Sequence, residues 1–89
     1  MSIPKNLKIG GHQIKVLIKP MWKGGDNENG VFDADKNEIW IKAELSDTQM
    51  ESTLVHEILH GINSTLDHVA LDSLSEQLYQ VLKDNKLKF

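Results

Sequence analysis

The first part of the chain alternates between hydrophobic and polar residues. Between positions 7 and 19, hydrophobic side chains such as Ile14 and Val16 alternate with polar ones. This two-residue period is typical of a β-strand with one buried face. Gly10-Gly11 interrupts the alternation. The pattern therefore predicts one strand, or a pair of strands broken at the two glycines, that ends before Pro20.

A β-hairpin is predicted after a loop of turn-forming residues at 24–30. It consists of a strand beginning at 31–32, a turn at 33–37 and a second strand at Glu38–Ala43. In the second strand Ile39 and Ile41 share one face, and Trp40 lies on the other.

The second part of the chain has the period of amphipathic helices. Ser46 and Gln49 fit a capping box, which begins a helix predicted over 46–66. Asp67 caps a second helix predicted over 67–86. The first helix carries apolar residues at Met50, Leu54, Ile58 and Ile62, and the second at Leu71, Leu74, Leu78, Val81 and Leu82. Residues 1–89 are thus expected to form a single α+β domain, a small antiparallel sheet followed by two helices.

Composition narrows the classes of function. The 89 residues contain no cysteine, which excludes disulfides and cysteine-ligated zinc. With a net charge of −3, the chain has no excess of basic residues to attract the phosphates of a nucleic acid, so a nucleic-acid partner is not expected. The chain has no apolar run long enough for a membrane span and no signal-peptide pattern at its start. These features lead us to expect a cytoplasmic protein that does not bind membranes. A monomer is our separate expectation, which composition does not determine.

The chemistry is concentrated in a His-Glu-x-x-His motif at His56, Glu57 and His60. Residues four apart lie one turn apart on the same helix face, so both imidazoles can bind one Zn²⁺. The glutamate then lies beside the metal and can take a proton from water. The alternative is a solvated pair of surface histidines, which also fits their place nearly opposite the main apolar stripe.

A catalytic zinc site has three protein ligands and one open position, and the third ligand is not fixed by the motif. The long metzincin motif is excluded because Asn63 and Leu66 occupy its glycine and histidine positions. The remaining candidates follow the motif: Asp67, His68, Asp72 and Glu76. Asp72, Glu76 and Tyr79 share one side of the second helix, although acidic residues near a helix start also have a purely structural explanation in the helix dipole.

Four segments resemble the compact His-Glu-x-x-His proteins of phages and prophages, which are similar to ImmA/IrrE-type metallopeptidase domains and minimal gluzincins. They are residues 29–33, 38–41, 52–62 and 74–85. The five-residue motif is the most specific part of this resemblance. The resemblance implies a minimal zincin-like fold, one Zn²⁺ per chain, a peptide or protein substrate, and a phage or prophage gene in a bacterial host.

The resemblance also implies roles for residues outside the motif. A gluzincin-like arrangement matches Asp72, Ser75 and Glu76, with Asp72 as the third ligand. Glu76 is then an alternate ligand, or orients a metal-binding histidine.

The strand before the motif helix, including Ile39, Trp40 and Ile41, would be the edge that pairs with an extended peptide. Tyr79 or His68 would stabilise the oxyanion, and Trp22 or Trp40 would line the cleft or, more simply, pack in the core.

The sequence therefore predicts a zinc-dependent metallopeptidase in which Glu57 is the general base. The main alternative is a catalytically silent module that binds a peptide or protein and uses zinc for stability, with His68 as a fourth ligand. A third possibility is a regulatory factor that cleaves or docks one repressor-like partner.

Overall fold

Four strands precede two helices in residues 3–20 and 28–87, the part of the chain that the computed structural model describes. The elements are β1 (Asn6–Ile9), β2 (His12–Lys19), β3 (Gly30–Asp33), β4 (Glu38–Lys42), α1 (Asp47–Ile62) and α2 (His68–Asp84). This order confirms the α+β fold. Trp22, for which a cleft or core position was predicted, lies outside the described residues.

The strands form one sheet in the order β1-β2-β4-β3. The β1–β2 and β3–β4 pairs are antiparallel, whereas β2 and β4 run parallel, with Val16 beside Ile39. The prediction of a purely antiparallel sheet is wrong at this pair. After β2 the chain crosses to the outer position and returns as β4 between its neighbours, which sets β4 in the same direction as β2.

The turn between β1 and β2 explains the paired glycines. Gly10 and Gly11 have φ angles of 57° and 85°. A two-residue hairpin turn of this kind needs positive φ at both central positions, which glycine adopts without steric cost. The sequence thus forms a strand pair here, the second of the two predicted possibilities.

The core lies between one face of the sheet and α1. Its buried members come from the sheet and from the helix: Ile14, Val16, Ile39, Ile41 and Leu54. In the described residues, α2 contacts α1 but none of the strands. Helix α1 is therefore enclosed by the sheet on one side and by α2 on the other, and neither of the two described helices packs on the opposite face of the sheet.

Both helices begin where their caps were predicted. The Ser46 hydroxyl accepts from the Gln49 backbone N–H, and the Gln49 side chain accepts from the Ser46 N–H. Helix α1 ends at Ile62, earlier than predicted, because the Asn63 side chain accepts from both the N–H and the hydroxyl of Thr65. Such local bonds compete with helical ones. Asp67 caps α2 by accepting from the Ala70 N–H.

A buried carboxylate joins the two helices. Glu51 of α1 is only 2% exposed. It accepts a hydrogen bond of 2.6 Å from the Tyr79 hydroxyl and one of 2.9 Å from the Lys83 ammonium, both from α2. These charge-assisted bonds hold the pKa of Glu51 down at about 2.

The predicted apolar stripe of α2 is only partly buried. Leu71 packs against α1, whereas Leu74, Leu78 and Val81 remain 39–49% exposed. Because α2 has α1 as its only packed neighbour among the described elements, one flank of its stripe is uncovered. No helix in the described ranges is long and apolar enough to cross a membrane.

Candidate metal and catalytic site

A cleft of about 540 Å³ lies between α1, α2 and the edge strand β3. His56, Glu57 and His60 all line it. The helix places these residues together because His56 and His60 are one turn apart and Glu57 follows the first histidine. The sequence prediction that the motif lies on one helix is confirmed.

Gly30 lets the edge strand approach the motif closely. A Cβ atom at Gly30 would lie 2.6 Å from Thr53 Cγ2 and 3.2 Å from Glu57 Cγ. No role is predicted for this glycine from the sequence, although glycine inside a strand is a recognised sign of close backbone approach. The absence of a side chain here allows β3 to cover Glu57, which is 5% exposed.

Gly30→Ala is expected to destabilise the fold by about 1–3 kcal/mol, because the added methyl group overlaps Thr53 and lies 3.1 Å from the Trp40 carbonyl oxygen. Urea unfolding monitored by circular dichroism would measure the loss. Ala34→Gly, in the exposed turn between β3 and β4, is the control for a change of similar size. An unchanged unfolding midpoint for Gly30→Ala would contradict the close approach.

Glu57 lies between the two histidines. Its Oε2 is 4.0 Å from His56 Nε2, and its Oε1 is 3.6 Å from His60 Nδ1. Burial, together with the negative charge of Glu28, raises the pKa of Glu57 to about 7. A carboxyl group with this pKa can both accept and return a proton near neutral pH.

His56 is oriented by two groups of α2. Its Nδ1 lies 3.4 Å from the Ser75 hydroxyl and 3.4 Å from Asp72 Oδ1. The buried Ser75 hydroxyl donates to the Asp72 backbone carbonyl, so its lone pairs are left to accept from Nδ1–H of His56. Burial lowers the pKa of His56, against the opposing charge of Asp72. The contacts favour a neutral imidazole protonated at Nδ1, with the Nε2 lone pair free.

The tautomer of His56 provides a test of this arrangement. We expect wild-type His56 to be mainly the Nδ1–H form, and Asp72→Ala/Ser75→Ala to shift it toward the Nε2–H form because both acceptors are removed. Imidazole ¹⁵N chemical shifts of the metal-free protein would distinguish the forms. Ser73→Ala, on the exposed side of α2, is the matched control. The same ¹⁵N shifts in wild type and the double variant would refute the assignment.

Three further candidate ligands come from α2 and line the same cleft: His68, Asp72 and Glu76. Imidazole and carboxylate groups are the donors that zinc binds in catalytic sites. In residues 3–20 and 28–87, however, no three His, Asp or Glu side chains are grouped closely enough to hold a metal ion. The donor types fit zinc, two of them fixed one turn apart on α1. The identity of the third ligand stays a prediction.

Two predicted site elements lie elsewhere. Strand β4 is not an edge, because β2 and β3 pair with it on both sides, and Ile39 and Ile41 are fully buried in the core. Strand β3 forms the edge beside the cleft instead. Trp40 lies on the sheet face away from α1. Tyr79 does not line the cleft, since its hydroxyl donates to Glu51, so it is not placed to stabilise an oxyanion there.

Comparisons with protein-family models, curated proteins and solved structures found no match to the chain.

Proposed function

We propose that this protein is a zinc-dependent metallopeptidase whose substrate is a peptide or protein. One observation carries the proposal: the two histidines and the glutamate of the motif share a cleft with candidate ligands of α2, beside an edge strand. This is the set of groups that metal-assisted peptide hydrolysis requires.

His56 and His60 would hold the metal, together with Asp72, Glu76 or His68 from α2. Bound zinc supplies a Lewis acid and lowers the pKa of coordinated water toward neutrality. Ser75 and Asp72 orient the His56 ring, which keeps Nε2 as its free donor atom. If Asp72 serves this orienting role, Glu76 or His68 is left as the third ligand.

Glu57 is the proton-transfer group of the proposed reaction. Its carboxylate accepts a proton from water in the cleft and then passes it to the leaving amine. Its burial and its pKa of about 7 support this role. The covering strand β3 limits water around the carboxyl group.

Strand β3 is the proposed docking edge for the substrate. It pairs with β4 on one side, and no other described strand pairs with it. An extended peptide can add to such an edge through main-chain hydrogen bonds. Gly30, Val31 and Phe32 of this strand line the cleft, so a peptide docked here would pass the motif residues.

Metal content tests the site directly. We expect about one zinc per chain in the wild type and none in His60→Ala, measured by elemental analysis after zinc loading and desalting. His12→Ala is the matched control, because His12 belongs to the β1–β2 hairpin and does not line the cleft. Unchanged stoichiometry in His60→Ala would refute the ligand assignment.

A structural zinc site in a peptide-binding module is the second candidate function. His68 favours it, because its presence in the cleft gives enough donors for a closed four-ligand site. Zinc content of His68→Ala, Asp72→Ala and Glu76→Ala separates the two functions. Loss in only one variant identifies the third ligand of an open site. Loss in both His68→Ala and Glu76→Ala, neither of which contacts His56 Nδ1, indicates a closed, structural one.

A further inference from the structure

The face of the sheet that points away from α1 presents a cluster of lysines around one tryptophan. We call this surface the open face and define it by Lys8, Lys15, Lys19, Lys36, Trp40 and Lys42. The strand register places Leu17 beside Trp40 and Lys19 beside Lys42. In the described part of the chain, neither helix contacts this side of the sheet.

The charges of the chain are segregated. Five of its ten basic residues lie on the open face, and all ten are lysines. Two carboxylates of the strands share this face, Glu38, which accepts from the Trp40 indole N–H, and Asp33, which accepts from two backbone N–H groups of the following turn, so the five lysines outnumber them. Candidate-site acids such as Asp72 and Glu76 lie in the cleft instead. The open face is thus positive although the chain as a whole is negative.

Trp40 is the centre of this surface. Its ring is half-buried and lies beside Leu17 and Val31 of the neighbouring strands. The ammonium of Lys19 is 3.7 Å from the ring centroid, and that of Lys36 is 5.8 Å away. The result is an aromatic spot bordered by positive charges.

We infer that the open face binds single-stranded nucleic acid, with its lysines on the phosphates and Trp40 beneath a base. Lysine is depleted in the cores of protein interfaces but binds phosphate well as a point charge, so the composition favours a phosphate backbone over a protein. Aromatic rings in positively charged surfaces stack on unpaired bases, which a duplex does not offer. Lys19 would swing from the ring to a phosphate as the base enters. This inference does not depend on the metal site.

Fluorescence anisotropy with a labelled 15-nucleotide oligo(dT) tests the inference. We expect a dissociation constant of about 1–100 µM in 50 mM NaCl, the range of sequence-independent binding. With four phosphate contacts, the logarithm of the association constant should fall with the logarithm of salt concentration at a slope of about −3. Binding to a blunt duplex should be weaker, because stacking on Trp40 is lost.

Substitutions localise the binding. Lys15→Gln and Lys42→Gln should each weaken it several-fold and reduce the salt slope by about 0.7, whereas Lys42→Arg should retain it. Trp40→Ala should weaken it about 5- to 100-fold. Lys86→Gln, beyond the end of α2, is the matched control for one lost charge. Circular dichroism would confirm that each variant is folded.

Three outcomes would overturn the inference. One is no binding at 100 µM protein in 20 mM NaCl. Another is binding that Lys15→Gln and Lys42→Gln leave unchanged. The third is tighter binding of a poly-glutamate peptide than of oligo(dT), with the same dependence on Lys15 and Lys42, which would identify the partner as an acidic polypeptide.

Discussion

Glu57→Gln is expected to lower kcat/KM for peptide hydrolysis by about 10²–10⁴-fold while zinc stays bound. The substitution keeps the shape of the side chain but removes the group that accepts the proton of water. It leaves both histidines in place, so the metal content should not change. The measurement is cleavage of a quenched fluorescent peptide library, with elemental analysis of the same samples.

The control for this experiment is Glu44→Gln, which removes an exposed carboxylate before α1. It should leave cleavage unchanged. Undiminished hydrolysis by Glu57→Gln would refute the proposed mechanism. Zinc-loaded wild type that cleaves nothing, with a closed set of four protein ligands, would instead support the structural module.

Glu51→Gln is expected to cost about 3 kcal/mol of folding free energy at neutral pH. Depression of the Glu51 pKa from 4.5 to about 2 in the folded protein corresponds to a stabilisation of this size. Tyr79 can still donate to the glutamine oxygen, but the charge that binds Lys83 is lost. For a domain of this length, the melting temperature should fall by roughly 10–20 °C.

The Glu51 carboxylate also makes the free energy of unfolding depend on pH in the acid range. Because the pKa of Glu51 is lower in the folded than in the unfolded chain, its contribution is complete above pH 4.5 and disappears as pH falls toward 2. Urea midpoints measured from pH 7 to pH 2.5 should therefore decline in wild type and in Glu44→Gln. The decline should be smaller in Glu51→Gln. If the urea midpoint declined equally in Glu51→Gln and in wild type as the pH is lowered, the assignment of this pH dependence to Glu51 would be contradicted.

Local features of the fold were predictable from the sequence because their causes are local. The glycine pair, the Ser46 capping box and the alternation around Ile39 each specify a turn, a helix start or a strand face within a few residues. The parallel pairing of β2 with β4 was not predictable in this way. It is determined by which strand occupies the centre of the sheet, and no local pattern records that choice.

Part of the candidate site likewise follows from the local sequence, and the rest depends on how distant elements pack. The spacing of His56 and His60 on one helix was enough to predict that they share a face. The groups that meet them from other elements depend on how α2 and β3 pack. The sequence predicts only a small residue at Ser75 and no role for Gly30, and it predicts Tyr79 in a cleft that the residue does not line. The net charge is an average over the chain, so it does not show that five of the ten lysines share the open face.

The parallel β2–β4 pair has a consequence for how the protein folds. Each hairpin, β1–β2 and β3–β4, closes through a short turn, whereas the pairing of Val16 with Ile39 must first close the long stretch of chain between them. The sheet therefore consists of two hairpins that form locally, joined by one long-range strand pairing, that of β2 with β4. Formation of this long-range pairing is the entropically costly step, and burial of Ile14 and Ile39 against Leu54 of α1 offsets its cost.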